Sequence, residues 1–187
     1  MPYIDLGGGL ELKTFEVEHA DALFAAVDSC RKYLREWLPW VDATRSPRDS
    51  LAFIERARRQ DESNNGFQVG IWFQGHLVGC MGFHAFDAAN RRTSLGYWVR
   101  QDFQGRGIVT RSCRALVRHA LVDLKMHRLE IRCGVQNTRS RAICEALGLR
   151  FEGVARECEW LYDHFIDHAV YAALESEWLR SQGSREP

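Results

Sequence analysis

The chain has 187 residues, enough for one hydrophobic core that buries roughly 70% of the surface the unfolded form exposes, so a single domain over residues 1–187 is expected. Its 25 Lys and Arg balance 25 Asp and Glu, which leaves no global field to draw in a nucleic acid or a membrane surface. No apolar run approaches membrane-spanning length, and the start "MPYIDLGGGLELK" lacks the basic flank and apolar core of a signal peptide, so the expected location is the cytoplasm.

In chain order, a short strand is expected near residues 9 to 16. It leads into "EVEHADALFAAVDSCRKYL", where Ala20, Leu23, Phe24 and Val27 fall on one helical face. "REWLPWVDATRS" breaks at Pro39, and "SPRDSLAFIERARRQDES" restarts a helix with Ser46 as N-cap, Pro47 first and Asp49 in the positive first turn. "GFQVGIWFQGHLVGCMGFHAFD" reads as two strands joined at Gln74-Gly75-His76, and "RTSLGYWVR" as a third. Residues 105 to 125 form a helix, "RLEIRCGVQ" a strand, and "TRSRAICEALG" a helix closed by Gly148. "LRFEGVARECEWLYDHFIDHAVYAALE" makes two strands around a turn near residues 162 to 165. The order is βααβββαβαββ, with no repeat, linker or low-complexity tract.

The six cysteines, Cys30, Cys80, Cys113, Cys133, Cys144 and Cys158, include no C-x-x-C pair. They read as reduced, mostly buried thiols, and no metal site is expected. The helix at residues 105 to 125 carries Val109, Cys113, Leu116, Val117, Ala120 and Leu124 on one side and Arg111, Arg114, Arg118 and Lys125 on the other. That basic stripe is either a solvated surface or, in its first turn, help for an anionic ligand. Gly105 and Gly107 stand just before it. Bare backbone at a helix N-terminus makes a site for phosphate oxygens, although glycines there also serve turn geometry alone.

The element order, with "YWVRQDFQGRGIVTRSCRAL" at its centre, resembles the GNAT acetyltransferase superfamily along the whole chain, in the branch that acts on ribosomal-protein N-termini (the Rim type). The family's acetyl-CoA loop, [Q/R]-x-x-G-x-[G/A], is similar to Gln104-Gly105-Arg106-Gly107-Ile108, with Val109 at the last position. "QNTRSRAICEALGLRFEG" resembles the family's N-x-x-S segment through Asn137 and Ser140, with Cys144 where a tyrosine is frequent. The resemblance implies an α/β fold with a mixed, mostly antiparallel sheet flanked by helices. It also implies acetyl-CoA as cosubstrate, held by the N–H groups of Gly105 to Thr110 at the pyrophosphate, by the backbone of Tyr97, Trp98 and Val99 on a splayed strand, and by Asn137. On the residues alone, Asn137 is equally a loop residue that starts a helix at Thr138.

Acetyl transfer needs a neutral amine, a polarised carbonyl and a proton for the departing thiolate. Ser140, one turn after Asn137, is the candidate donor to the thiolate, or a commonplace cap. Glu159 resembles the glutamate that Rim-type enzymes place opposite the thioester, or is a solvated strand residue. Trp37 and Trp40 flank Pro39 where the family builds its acceptor groove, or they plug the core; His84 is a proton relay or a surface histidine. The resemblance also implies that the late strands "CEWLYDHF" and "DHAVYAAL" support a homodimer, although nothing in their periodicity demands it. No G-x-x-x-x-G-K-[ST] occurs, which excludes a P-loop nucleotide triphosphatase, and no aromatic-basic alternation favours nucleic acid. The expected activity is acetyl transfer to a protein N-terminal α-amine. The alternatives are a small-molecule amine acceptor and a non-catalytic CoA-binding domain.

Overall fold

The computed structural model describes residues 3–183, with side chains through residue 180. β1 (Tyr3–Asp5) and β2 (Leu10–Thr14) pair across a turn in which Gly7, Gly8 and Gly9 all have positive φ. Three residues are too few to show a period, which is why β1 has no signature in the sequence. The single helix expected next is two, α1 (Ala20–Asp28) and α2 (Arg31–Arg35). Ser29 Oγ donates back to the Ala26 carbonyl at 2.9 Å, and Cys30 leaves the helical region at φ −139°. A short polar side chain competing for backbone partners breaks the run there.

α3 (Pro47–Glu62) starts as expected: Ser46 and Asp49 form a reciprocal capping box, and Pro47 opens the helix. Backbone N–H groups of Arg45 and Ser46 both donate to Asp49 Oδ2 at 2.9 Å. The Arg45 N–H first, with the Ser46 hydroxyl, holds the Asp49 carboxyl below the usual range. β3 (Phe67–Phe73) and β4 (His76–Phe83) form a hairpin whose turn residues Gln74 and Gly75 both have positive φ, the geometry that matches strand twist. β5 (Arg92–Val99) follows, then α4 (Ile108–Arg118). Residues 119–123 close α4 with a π-helical turn, so Leu124 lies beyond the helix and is partly exposed rather than on its apolar face. β6 (Arg128–Gly134), α5 (Thr138–Ala146), β7 (Arg150–Leu161), β8 (His164–Leu174) and α6 (Glu175–Gly183) complete the chain.

The strands form one sheet in the order β1-β2-β3-β4-β5-β6-β8-β7. Every neighbouring pair is antiparallel except β5–β6. Side-chain alternation divides the interior between the two faces. Met81 and Phe83 pack with Cys113, Leu116 and Val117 of α4, while Cys80 packs with Leu23 of α1 and Ile54 of α3. Among the described residues no helix is long and apolar enough to cross a membrane.

The parallel pairing that seats the site is short. Only Arg92, Thr93 and Ser94 pair with Arg128, Leu129 and Glu130, and beyond Ser94 the two strands part. Removing the α3 cap by Ser46→Ala is expected to cost about 1 kcal/mol, read as a lower urea midpoint at unchanged slope.

Candidate active site

Where β5 and β6 separate, one edge of β5 has no strand to bond. The N–H of His84 donates to Ser94 O, and that of Arg100 donates to Val78 O. An antiparallel ladder alternates, so Ser94, Gly96, Trp98 and Arg100 spend their backbones on β4, while Leu95, Tyr97 and Val99 turn theirs toward the gap. Trp98 therefore offers no backbone to a ligand in the gap, contrary to its expected part. Its indole instead packs 6.0 Å from that of Trp40. The gap opens into a cavity of about 1380 Å³.

At one end of the cavity stands the glycine loop. Gly105 and Gly107 both have φ +71°, and the space a Cβ would take at either is empty. The first backbone bond of α4 runs from Arg111 N to Gly107 O, so the N–H groups of Ile108, Val109 and Thr110 precede any intrahelical partner. Ile108 and Val109 bury their side chains in the core, so the branched residue at position 109 does not crowd the open side of the loop. Gln104 Oε1 accepts from Arg139 Nη1 at 2.7 Å, which ties the loop to α5. Arg106 folds back onto the Asp102 carbonyl and over the Phe103 ring. Farther along α4 the basic stripe is spent on the protein's own surface: Arg111 donates to the Leu6 and Gly7 carbonyls, Arg114 to Ala146 O, and Arg118 pairs with Asp123.

On the α5 face of the gap lie two hydroxyls. Ser140 Oγ is 2.8 Å from the Tyr97 hydroxyl, and Asn137 Oδ1 accepts from Ser140 N at 3.1 Å as the N-cap of α5. The capping role of Asn137 is thus observed, while its side-chain nitrogen makes no hydrogen bond among the described residues. Burial raises the Tyr97 phenol well above its ordinary pKa. Two thiols complete the cluster: the Cys144 thiol beside Cys133 favours the Cys133 thiolate and lowers its pKa, at the expense of Cys144, whose own pKa is raised.

The opposite face holds a carboxylate and an imidazole. Cys133 turns toward α5, so Gly134 faces the other way, where Trp37 lies over it. His168 pairs with Gly134 across the strands and shares that face. The β7–β8 register breaks between Ala155, opposite His168, and Glu159, opposite Ile166. The residues between form a bulge, with Glu157 at φ +48° and its N–H held by Asp167 Oδ1 at 2.7 Å. The bulge brings Glu159 Oε2 to 3.2 Å from His168 Nε2. The sequence offered no sign of His168, because a bulge leaves no period to read.

Trp37 and Trp40 line the cavity and neither belongs to the buried core. Their loop is latched to the β7–β8 turn: Tyr162 Oη donates to Leu38 O at 2.6 Å, and the Arg35 guanidinium stacks 3.8 Å from the Tyr162 ring. His84 sits at the rim, its imidazole over Gly96, where a Cβ would come within 2.8 Å of Nε2. Partial desolvation there lowers its pKa.

The model of the acetyltransferase (GNAT) domain family matches residues 10–150. YdaF of Bacillus subtilis, provisionally named a ribosomal N-acetyltransferase, is 31% identical over 172 residues, 90% of this chain and 93% of that protein. The ribosomal-protein-serine acetyltransferase of Escherichia coli is 24% identical over 91% of this chain and 96% of its own. Among solved structures, RimL, a ribosomal L7/L12 α-N-protein acetyltransferase in complex with coenzyme A, superposes with a TM-score of 0.89 at 25% identity over 94% of this chain and 99% of its own. The microcin C7 self-immunity acetyltransferase MccE, in complex with acetyl-CoA and AMP, gives 0.87 at 25% identity, covering 91% and 95%.

Because Asn137 caps α5, Asn137→Ala is expected to destabilise the protein by about 1 kcal/mol. A thermal melt checks this without any ligand.

Proposed function

The chain belongs to the GNAT acetyltransferase family, and we propose that it moves the acetyl group of acetyl-CoA directly to the α-amine of a protein N-terminus, as its ribosomal-protein relatives are named for doing. The observation that carries the proposal is the gap between β5 and β6, with the Tyr97–Ser140 hydroxyls on one face and the Glu159–His168 pair on the other. A transfer reaction between two substrates that meet in a slot needs a proton donor on the side of the leaving group and a proton acceptor on the side of the nucleophile.

Acetyl-CoA fits the residues present. The unpartnered N–H groups of the loop from Gly105 to Thr110 suit a pyrophosphate, and the open space at both glycines lets oxygen approach the backbone. The free backbone edge at Tyr97 and Val99 suits the amides of the pantetheine arm, with the side-chain nitrogen of Asn137 on the other side. In the proposed reaction the neutral amine attacks the thioester carbonyl carbon. The Val99 N–H stabilises the oxyanion, and the C–S bond then breaks. Glu159 takes the proton from the amine, and the Ser140 hydroxyl hydrogen-bonds the departing thiolate, which takes up its proton from solvent. Trp37, Trp40 and His84 wall the acceptor's approach.

Proton cost favours an α-amine. Neutralising a group of pKa 7.7 to 8.0 at pH 7 costs about 1 to 1.4 kcal/mol, against about 4.6 for a lysine of pKa 10.4. One carboxylate beside an imidazole suffices for the first and falls short for the second. A screen of unblocked peptides and small amines, read by thiol release from acetyl-CoA, tests the reading and separates a protein N-terminus from a small-molecule acceptor. Acetylation of an N-terminally blocked, lysine-containing peptide as fast as its unblocked partner would overturn it.

Two variants bear on the assignments. Gly107→Ala places a methyl at the open face and strains a φ of +71°, so the acetyl-CoA dissociation constant measured by calorimetry is expected to rise about tenfold or more. Glu159→Gln is expected to cut kcat/KM for the amine by roughly 10²-fold, with the acetyl-CoA constant nearly unchanged. With an α-amine acceptor, the wild-type kcat/KM rises with pH as the amine deprotonates and levels off near its pKa of about 8.

A further inference from the structure

We propose that the Tyr97 hydroxyl is a positioning group for the leaving-group side of the site: it donates to Ser140 Oγ and thereby turns the single proton of the serine toward the sulfur of the coenzyme. The proposal rests on the acetyl-CoA reading above.

A serine hydroxyl has one proton and a free rotor, so as a donor to sulfur it is effective only if something occupies its acceptor side. Tyr97 does this from a different element. Its ring projects from β5, and its hydroxyl lies 2.8 Å from Ser140 Oγ, with the Ser140 carbonyl oxygen a more distant second acceptor at 3.4 Å. The serine itself is held at its backbone by the Asn137 side chain at 3.1 Å. Burial favours the protonated phenol; either oxygen can donate across the 2.8 Å contact, and the proposed role has Tyr97 as the donor. With its oxygen accepting from Tyr97, Ser140 directs its own proton onward. Cys133 lines the same cavity as Ser140. The next inward residue of α5, Cys144, is fully buried beneath this cluster, so Ser140 is the point at which α5 presents a donor.

The test has a binding arm and a kinetic arm. Calorimetry compares CoA with desulfo-CoA, which lacks only the sulfur. The wild type is expected to prefer CoA, and Tyr97→Phe and Ser140→Ala should both reduce that preference toward unity. In turnover, Tyr97→Phe should lower kcat by about three- to tenfold, the worth of one neutral hydrogen bond, with the KM for acetyl-CoA little changed. Combined with Ser140→Ala it should add no further loss, because the two act as one unit. A wild-type kcat and CoA preference in Tyr97→Phe, losses that multiply in the double variant, or a lowered Tm with unchanged kcat would each overturn the proposal. Tyr97→Met, which fills the space with an adaptable side chain and also lacks the hydroxyl, answers the same question should Tyr97→Phe fail to fold. Failure of the wild type to bind acetyl-CoA would instead sink the acetyltransferase reading itself.

Discussion

After Ser94, β5 stops pairing with β6, and the rest of the site depends on that parting. A strand inside a sheet ordinarily has both backbone edges satisfied, and leaving one open within the fold costs free energy unless a partner supplies the bonds. The chain bears this cost over the Leu95, Tyr97 and Val99 edge. The sheet continues on both sides, because β4 holds β5 along its other edge and β8 holds β6 through Gly134. The gap is therefore rigidly framed rather than frayed. An extended ligand with amide groups is the natural filler of such an edge.

Alternation along the strands then sorts the chemistry. Odd and even residues of β5 and β6 face opposite sides of the sheet, so Tyr97 and Cys133 meet α5, while Gly134 faces Trp37. The hydroxyls and thiols collect on one side and the carboxylate–imidazole pair on the other.

Two local irregularities give this arrangement its shape. The β7 bulge, pinned by the Asp167 carboxylate on the Glu157 N–H, moves Glu159 off its strand register and onto His168. The Tyr162 contact to Leu38 joins the β7–β8 turn to the loop that carries Trp37 and Trp40. Neither contact is worth much alone, about 1 kcal/mol for a typical hydrogen bond, but each fixes the direction of a functional side chain.

The sequence by itself determined the α/β order, because its periodicities are long and its boundaries carry turn chemistry: Ser46-Pro47, Gln74-Gly75, the Gly105 and Gly107 pair, and Gly148 all mark element ends through backbone preferences that act locally. It also pointed to Asn137, Ser140 and Glu159, though by resemblance to a motif rather than by any physical necessity in the residues. The closing helix α6 lay outside the expected order, and the break between α1 and α2 and the three-residue β1 escaped it, since a single competing hydroxyl and a strand too short for a period leave no pattern. What only the tertiary structure decided was partnership. That Tyr97 meets Ser140, that Glu159 meets His168, and that Trp98 spends its backbone on β4 all follow from strand register, one bulge and the point at which two parallel strands part. These are contacts between residues far apart in the chain, and their geometry is set by the packing of whole elements rather than by the preferences of neighbours.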